Sequence, residues 1–306
     1  MRQKGKKSSV GSKIINFLLA LIMIVGLSLL LYPTVSDWWN QFHQSRAIAS
    51  YSEYVSSIDP AEYAAYIEEA HTYNEYLWTM PNRYIPTEEE HQWYESILNV
   101  TGNGIMGYIK IPKINVNLPI YHGVEDVVLQ IAVGHIEGTS LPVGGEGVHT
   151  VLSGHRGLPS AKLFTDLDQL LEGDIFTLTV LNETITYEID QIRIVLPAEV
   201  DTLTLEEGQD YCTLVTCTPY GINSHRMLVR GRRIENLAEE IEVVVTADAK
   251  LFEPLKVAPL IAAPILVILF ITMMFKKPVK KITAAELARR REQNRKQKKD
   301  EEQQDK

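Results

Sequence analysis

Two cysteines, Cys212 and Cys217, are the only thiols in a chain of 306 residues. Both lie in one strand-like run, Asp210-Tyr211-Cys212-Thr213-Leu214-Val215-Thr216-Cys217. Five residues of extended chain hold their Cα atoms roughly 16–17 Å apart, whereas a disulfide needs about 4.4–6.8 Å. An odd offset also turns them to opposite faces of a strand. They are not expected to pair with each other. Cys212 shares its parity with Leu214 and reads as a small core residue. Cys217 falls where the strand ends, ahead of the loop Thr218-Pro219-Tyr220-Gly221-Ile222-Asn223-Ser224. Strand ends beside loops are where reactive groups are commonly displayed. A thiol there suits nucleophilic attack on a carbonyl. Composition alone leaves Cys217 open between nucleophile and second inert cysteine.

A thiol with the ordinary pKa of about 8.5 needs a base or a cation beside it to be usefully ionised. The chain holds eight histidines. His43, His71 and His91 lie in a helical or linker region and are expected to be solvated. His122, His135, His149 and His155 fall in the strand-rich region, and His225 just ahead of Arg226. His155 stands between Ser153-Gly154 and Arg156-Gly157, a backbone able to turn and present the ring. Spacing by itself does not choose among them. Arg226 and Arg230 occupy one face of the run His225–Gly231, with Met227 and Val229 on the other. Arg226 is nearer the loop and Cys217, where it could hold an oxyanion. On sequence alone a surface salt bridge accounts for such an arginine more simply.

The elements that must position these residues are strands. From Tyr108 to Arg233, short alternating runs with Gly and Pro punctuation point to a closed or nearly closed β-barrel. Phe176, Leu178 and Val180 alternate, Asn182-Glu183 supplies a turn, and Ile185, Tyr187 and Ile189 alternate back. Ile192, Ile194 and Leu196 continue. Ahead of the barrel, Asp37 to Trp78 reads as helical. Asp59-Pro60-Ala61-Glu62 is a helix start, with Asp59 as N-cap and Pro60 at N1. Aromatic stripes there predict a helical hairpin packed on itself and on the barrel.

Two further segments belong to no soluble core. Residues 14–32 and 257–275 are uncharged, apolar and close to the roughly 20 residues that cross a bilayer. Basic residues flank both on their outer sides: Arg2, Lys4, Lys6, Lys7 and Lys13 before the first, and Lys276, Lys277, Lys280 and Lys281 after the second. Positive flanks stay cytoplasmic, so both tails (1–13 and 276–306) are expected inside and residues 33–253 outside. The first span is longer than a signal-peptide core and lacks a prompt small-x-small site, which favours an uncleaved anchor. Between residues 33 and 253, 12 Lys+Arg face 33 Asp+Glu, a net charge of −21. Nucleic acid is therefore not expected as a partner. Gly144-Gly145-Glu146-Gly147 lacks the lysine and following helix of a phosphate cradle. Neither a metal nor a cofactor is expected.

Taken together, these residues resemble a sortase. Thr213-Leu214-Val215-Thr216-Cys217 matches the family signature TLxTC, and Arg226 follows Cys217 by nine residues. Leu152-Ser153-Gly154-His155-Arg156-Gly157 places His155 62 residues ahead of the cysteine, where the family's histidine stands. Gly107-Tyr108-Ile109-Lys110-Ile111-Pro112 and Leu118-Pro119-Ile120-Tyr121 are similar to the start of the sortase barrel. The resemblance covers roughly residues 105–235. It implies a mainly β fold, an eight-stranded barrel, with a helical extension at 33–104, a connector at 236–256 and the two flanking transmembrane helices. It also implies a cysteine transpeptidase that cleaves an LPXTG-like sorting signal between Thr and Gly. Cys217 would form the thioester, His155 would move protons, and Arg226 would hold substrate and oxyanion. Substrate contacts are implied at Thr216, Leu196 and Pro197.

A second span and a helical extension are most like the class C, pilin-polymerising sortases, whose acceptor is a lysine amine of a pilin. A housekeeping type acting on a cell-wall precursor, a cysteine peptidase and an inactive pilus scaffold are the alternatives. Class C members tend to carry an Asp-Pro-aromatic lid. The corresponding stretch, Leu77-Trp78-Thr79-Met80-Pro81-Asn82-Arg83-Tyr84, lacks that triplet. The expectation is a lidless site, or one covered by Trp78 without an Asp–Arg226 contact.

Overall fold

The computed structural model describes residues 10–199 and 203–236, with isolated positions between 262 and 292. Two units are distinguished, Ser28–Glu253 and Met1–Leu27 with Pro254–Lys306. The barrel belongs to the first. The expected second span at 257–275, the connector beyond residue 236, the C-terminal basic tail and residues 1–9 lie outside the described residues, apart from those isolated positions.

The first described element is a long helix, α1 (Val10–Ser56). Among the described residues it is the one helix long and apolar enough to cross a membrane. Its later turns grip the barrel through polar side chains. Asn40 donates to the Ser160 carbonyl at 2.7 Å, Gln44 to that of Ile131 at 2.6 Å, and Asp37 accepts from the Lys162 amide at 2.9 Å. Positions 37, 40 and 44 recur at helical spacing, so one stripe makes all three contacts. Buried Tyr51 donates to the Met106 carbonyl at 2.9 Å and accepts from the Leu181 amide at 2.8 Å.

A second helix, α2 (Pro60–Leu77), starts at its N-cap Asp59, whose carboxylate accepts from the Ala61 amide at 2.8 Å. Glu62 lies in its first turn, where the helix dipole favours a negative charge. A third, α3 (Glu88–Ser96), is started by a Thr87–Glu90 capping box. Tyr73, Leu77 and Tyr94 from these helices join the main core.

Eight strands follow: β1 (Ile105–Ile111), β2 (Val116–His122), β3 (Val133–His135), β4 (Val148–Ser153), β5 (Ile175–Val180), β6 (Glu183–Val195), β7 (Asp210–Thr218) and β8 (His225–Ile234). They close into a barrel in the order β1-β2-β3-β4-β7-β8-β6-β5. Closure removes sheet edges, so backbone donors and acceptors are paired all round. The inward set includes Ile109, Ile120, Leu152, Phe176, Leu178, Tyr187, Leu214 and Val229, all buried. Each contributes about 1.5–3 kcal/mol by leaving water.

Two sequence expectations shift slightly. The β5–β6 turn consists of Leu181 and Asn182, with Glu183 already in β6. The alternation in β6 changes parity between Ile189 and Ile192, and a bulge between Ile189 and Gln191 is the cause. Ile192 is thereby set opposite Val229 of the core, while Ile194, at the rim, is exposed.

A smaller apolar cluster lies apart from the main core. Val151 of β4, Val215 of β7, Leu228 of β8 and Val195 of β6 form it, with Leu203 of the β6–β7 loop and Ile136 packed against them. On each strand these alternate with core residues, which puts the cluster on the outer face. Leu203 and Ile136 bring the β6–β7 loop and the segment after β3 against this face.

Candidate active site

The site is built by strand register. β7 pairs antiparallel with β8, which sets Cys217 directly opposite Arg226. It pairs parallel with β4, which sets Ser153 opposite Val215. Two further residues along each parallel chain bring His155 beside Cys217. Hydrogen bonds hold this extension in place. The Gly154 amide donates to the Val215 carbonyl at 3.0 Å, and the Thr216 hydroxyl to the Gly154 carbonyl at 2.8 Å. Arg156 donates from Nη1 to the Thr218 hydroxyl at 3.3 Å. Residues on both sides of His155 are thus bonded to residues on both sides of Cys217.

The glycines flanking His155 serve two purposes. Gly157 has φ +79°, a left-handed turn that suits glycine. A side chain there would also strike the Tyr220 ring. At Gly154 the reason is a close approach instead: a Cβ would stand 2.7 Å from Cδ2 of Phe164. The Phe164 amide in turn donates to the His155 carbonyl at 3.1 Å. The loop carrying His155 is therefore packed from beneath and tied back to itself. Through Ser160 and Lys162 it is also tied to α1.

The two thiols differ as their parity implies. Cys212 is fully buried, and burial pushes its thiol well above the ordinary range. Cys217 is half-buried and free. The ring of His155 makes no hydrogen bond among the described residues, which leaves both nitrogens open to a thiol or a substrate. Arg226 donates from Nη1 to the carbonyls of Asn223 at 3.3 Å and His225 at 3.1 Å. Among the described residues no carboxylate pairs with it. A half-buried thiol, an imidazole and an uncompensated guanidinium on adjacent strand ends can make and stabilise an acyl intermediate.

Comparison with known proteins agrees with this arrangement. The sortase domain family matches residues 109–234. Sortase C1 from Streptococcus agalactiae is 50% identical, with a TM-score of 0.61, over 63% of this chain and 100% of that one. The chain belongs to the sortase family. Sortase C from Streptococcus pneumoniae is 41% identical with a TM-score of 0.56, over 62% of this chain and 97% of that one. Among curated relatives, sortase D of Bacillus subtilis is 33% identical over 42% of this chain and 63% of the relative's length. Sortase A of Streptococcus agalactiae is 32% identical over 37% of this chain and 47% of that protein. The chain thus matches about half to two thirds of the length of these curated relatives.

Other residues singled out from the sequence of this sortase lie elsewhere. Thr216 is buried and faces inward, and its hydroxyl donates to the Gly154 carbonyl, so it braces the histidine loop. Leu196 and Pro197 are exposed just past Val195, the partner of Arg226 in the β6–β8 register. Trp78 does not cover Cys217. Its ring packs at 3.0 Å from the position of a Cβ on Gly147, ahead of the start of β4. The length of β4, roughly 20 Å, separates that point from the histidine loop. The reason is that α2 ends at Leu77, on the side of the barrel where β4 begins.

Sequence reasoning passed over Arg156. It pairs with Asp168, bonds Thr218 and lies 5.9 Å from the centre of the Tyr220 ring. Its place next to His155 was the available signal. Among the described residues no cluster of three or more His, Cys, Asp or Glu is arranged to hold a metal.

Proposed function

We propose that this sortase is a membrane-anchored transpeptidase of the pilin-polymerising type. The observation that carries the chemistry is the register of β4, β7 and β8, which sets His155, Cys217 and Arg226 on adjacent strand ends. Cys217 Sγ attacks the Thr carbonyl carbon of an LPXTG-like signal, and the thiol proton passes to His155. The Thr–Gly bond breaks, and the leaving glycine amine takes that proton. An incoming amine then attacks the thioester and gives a proton to His155. The new amide forms as the thiolate of Cys217 leaves. Arg226 steadies the oxyanion in both steps.

Support for a pilin lysine as acceptor comes from the solved sortases C at 41–50% identity. One of these is described through its pilin substrate specificity. Anchoring through α1 rests on its length and apolar surface. The second span at 257–275, and with it a two-pass topology facing the catalytic barrel outward, rests on the apolar run and its basic flank.

The test is incubation of the full chain, in detergent or nanodiscs, with candidate pilins bearing such signals. SDS-resistant ladders that vanish in Cys217→Ala are expected. Anchoring of monomers to a cell-wall precursor, without ladders, would move the assignment to a housekeeping type. Release of free acid alone would indicate a peptidase, and ladders surviving Cys217→Ala an inactive scaffold.

A further inference from the structure

The stretch that resembles a lid without its triplet leads somewhere other than Cys217. Arg83 donates from Nη2 to the Leu203 carbonyl and, at 3.0 Å, to the Tyr84 hydroxyl. The Tyr84 hydroxyl reaches the same carbonyl at 3.5 Å. The guanidinium carbon lies 4.9 Å from the centre of the Tyr84 ring, a cation–π distance. On its other side the same dipeptide meets Gly138. Any side chain at Gly138 would collide with the Arg83 carbonyl and touch the Tyr84 ring. Gly138 has φ +81° as well.

Gly138 and Leu203 belong to two different segments that wall in the outer-face apolar cluster. Residues 136–140 continue beyond β3 alongside β4, through the Ile136 and Ser140 amides bonded to the Val151 and His149 carbonyls. Leu203 belongs to the β6–β7 loop and is buried in that cluster with Val151, Val195 and Val215. The neighbouring Thr204 carbonyl is held by His149 at 2.8 Å. Arg83 thus supplies the second pin of a wall that His149 already holds at one point. Its Nη1 is buried without an acceptor. A guanidinium placed for its own solvation would not leave a donor unmet. Its position follows the Leu203 carbonyl instead.

We infer that Arg83 and Tyr84 form a clasp joining the segment after β3 to the β6–β7 loop, and that Arg83 is a positioning residue for binding of the sorting signal. The clasp fixes the loop at Leu203, which packs with Val215, two residues before Cys217, and with Val195, the partner of Arg226. This rests on the transpeptidase reading for its substrate, but not for its geometry. Loss of the clasp should loosen the β6–β7 wall and weaken peptide binding. The chemistry at Cys217 should be left as it was.

The experiment has two arms on the full chain, comparing wild type with Arg83→Ala and with Gly138→Ala, which dislodges the same dipeptide from the opposite wall. Hydrogen–deuterium exchange of residues 203–209 needs no substrate and should speed up by roughly tenfold in both variants. With a quenched-fluorescent Leu-Pro-Glu-Thr-Gly peptide, KM should rise by about tenfold while kcat stays within about twofold. Arg83→Lys, which keeps one donor but loses the fork, should fall between. Labelling of Cys217 by a small thiol reagent should keep its wild-type rate.

Unchanged exchange in Arg83→Ala overturns the clasp, whatever the substrate. Unchanged KM with a working wild type overturns its role in binding. A labelling rate raised about fivefold or more would make the segment a cover over the thiol instead. Failure of the wild type on the peptide would count against the transpeptidase reading, and the exchange arm would still decide the clasp.

Discussion

The outer face of β4, β7 and β8 carries the same pattern of residues twice. At the end nearest the β7–β8 loop stand His155, Cys217 and Arg226. Further down the strands stand His149, Thr213 and Arg230, with Thr213 opposite Arg230 as Cys217 is opposite Arg226. In the lower set the imidazole, the hydroxyl and the guanidinium all have partners. His149 donates from Nδ1 to the Thr204 carbonyl at 2.8 Å, and its Nε2 accepts from the Thr213 hydroxyl at 2.7 Å. Arg230 forms a two-pronged pair with Asp190 at 2.8 and 3.0 Å and stacks 4.1 Å from the Tyr211 ring centre. In the upper set the imidazole is open, the arginine has no carboxylate among the described residues, and the thiol is half-buried. The difference teaches that reactivity here is withheld satisfaction. The bulge that aims Asp190 at Arg230 has no counterpart opposite Arg226.

The comparison can be broken most sharply at the thiol. Cys217→Ala should reduce acyl transfer by at least about a thousandfold, measured as thioester formation with the peptide. Thr213→Ala, one pattern lower, should leave kcat within about threefold. Arg226→Ala should lower kcat/KM by roughly a hundred- to a thousandfold with little change in Tm. Asp190→Ala should reverse that balance, costing about 2 kcal/mol in denaturant unfolding while leaving kcat nearly unchanged.

Native labelling with a small thiol reagent should modify one cysteine per chain, Cys217, and a second only after denaturation. Modification of Cys212 at a comparable native rate would contradict its burial.

The smallest expected effect is one of pH. Burial lowers the pKa of His149, and pushes that of His135 down to about 3 from the ordinary 6.5. As pH falls, the unfolded chain therefore takes up protons first. The stability from these neutral rings is complete above about pH 6.5 and is lost progressively toward pH 3. A melting temperature that falls steadily from pH 6.5 to pH 4 is the expected result. His135→Gln should flatten that slope, even if its starting stability is lower.

Much of this was legible from residue order because strands obey a period of two. The parity of Cys212 and Cys217 separated an inert thiol from a usable one, and the parity of Arg226 against Met227 placed the guanidinium on the outer face. The change of alternation between Ile189 and Ile192 was visible as well, although only the bulge explains it. What sequence could not reveal depends on contacts between distant segments. Thr216 sits inside a signature motif, yet its inward direction makes it a brace for Gly154. Trp78 lies in the stretch where a cover would stand, but the end of α2 delivers it to Gly147. Arg83, with no motif around it, meets Leu203 across a separation of 120 residues.

Sequence alone determined which side chains share a strand face, since alternation is a local property of the extended backbone. It thereby determined that Cys217, and not Cys212, faces outward. Only the closed barrel decided which faces meet. Pairing register between strands far apart in the chain brings His155 to Cys217, gives Arg230 a carboxylate and leaves Arg226 without one among the described residues.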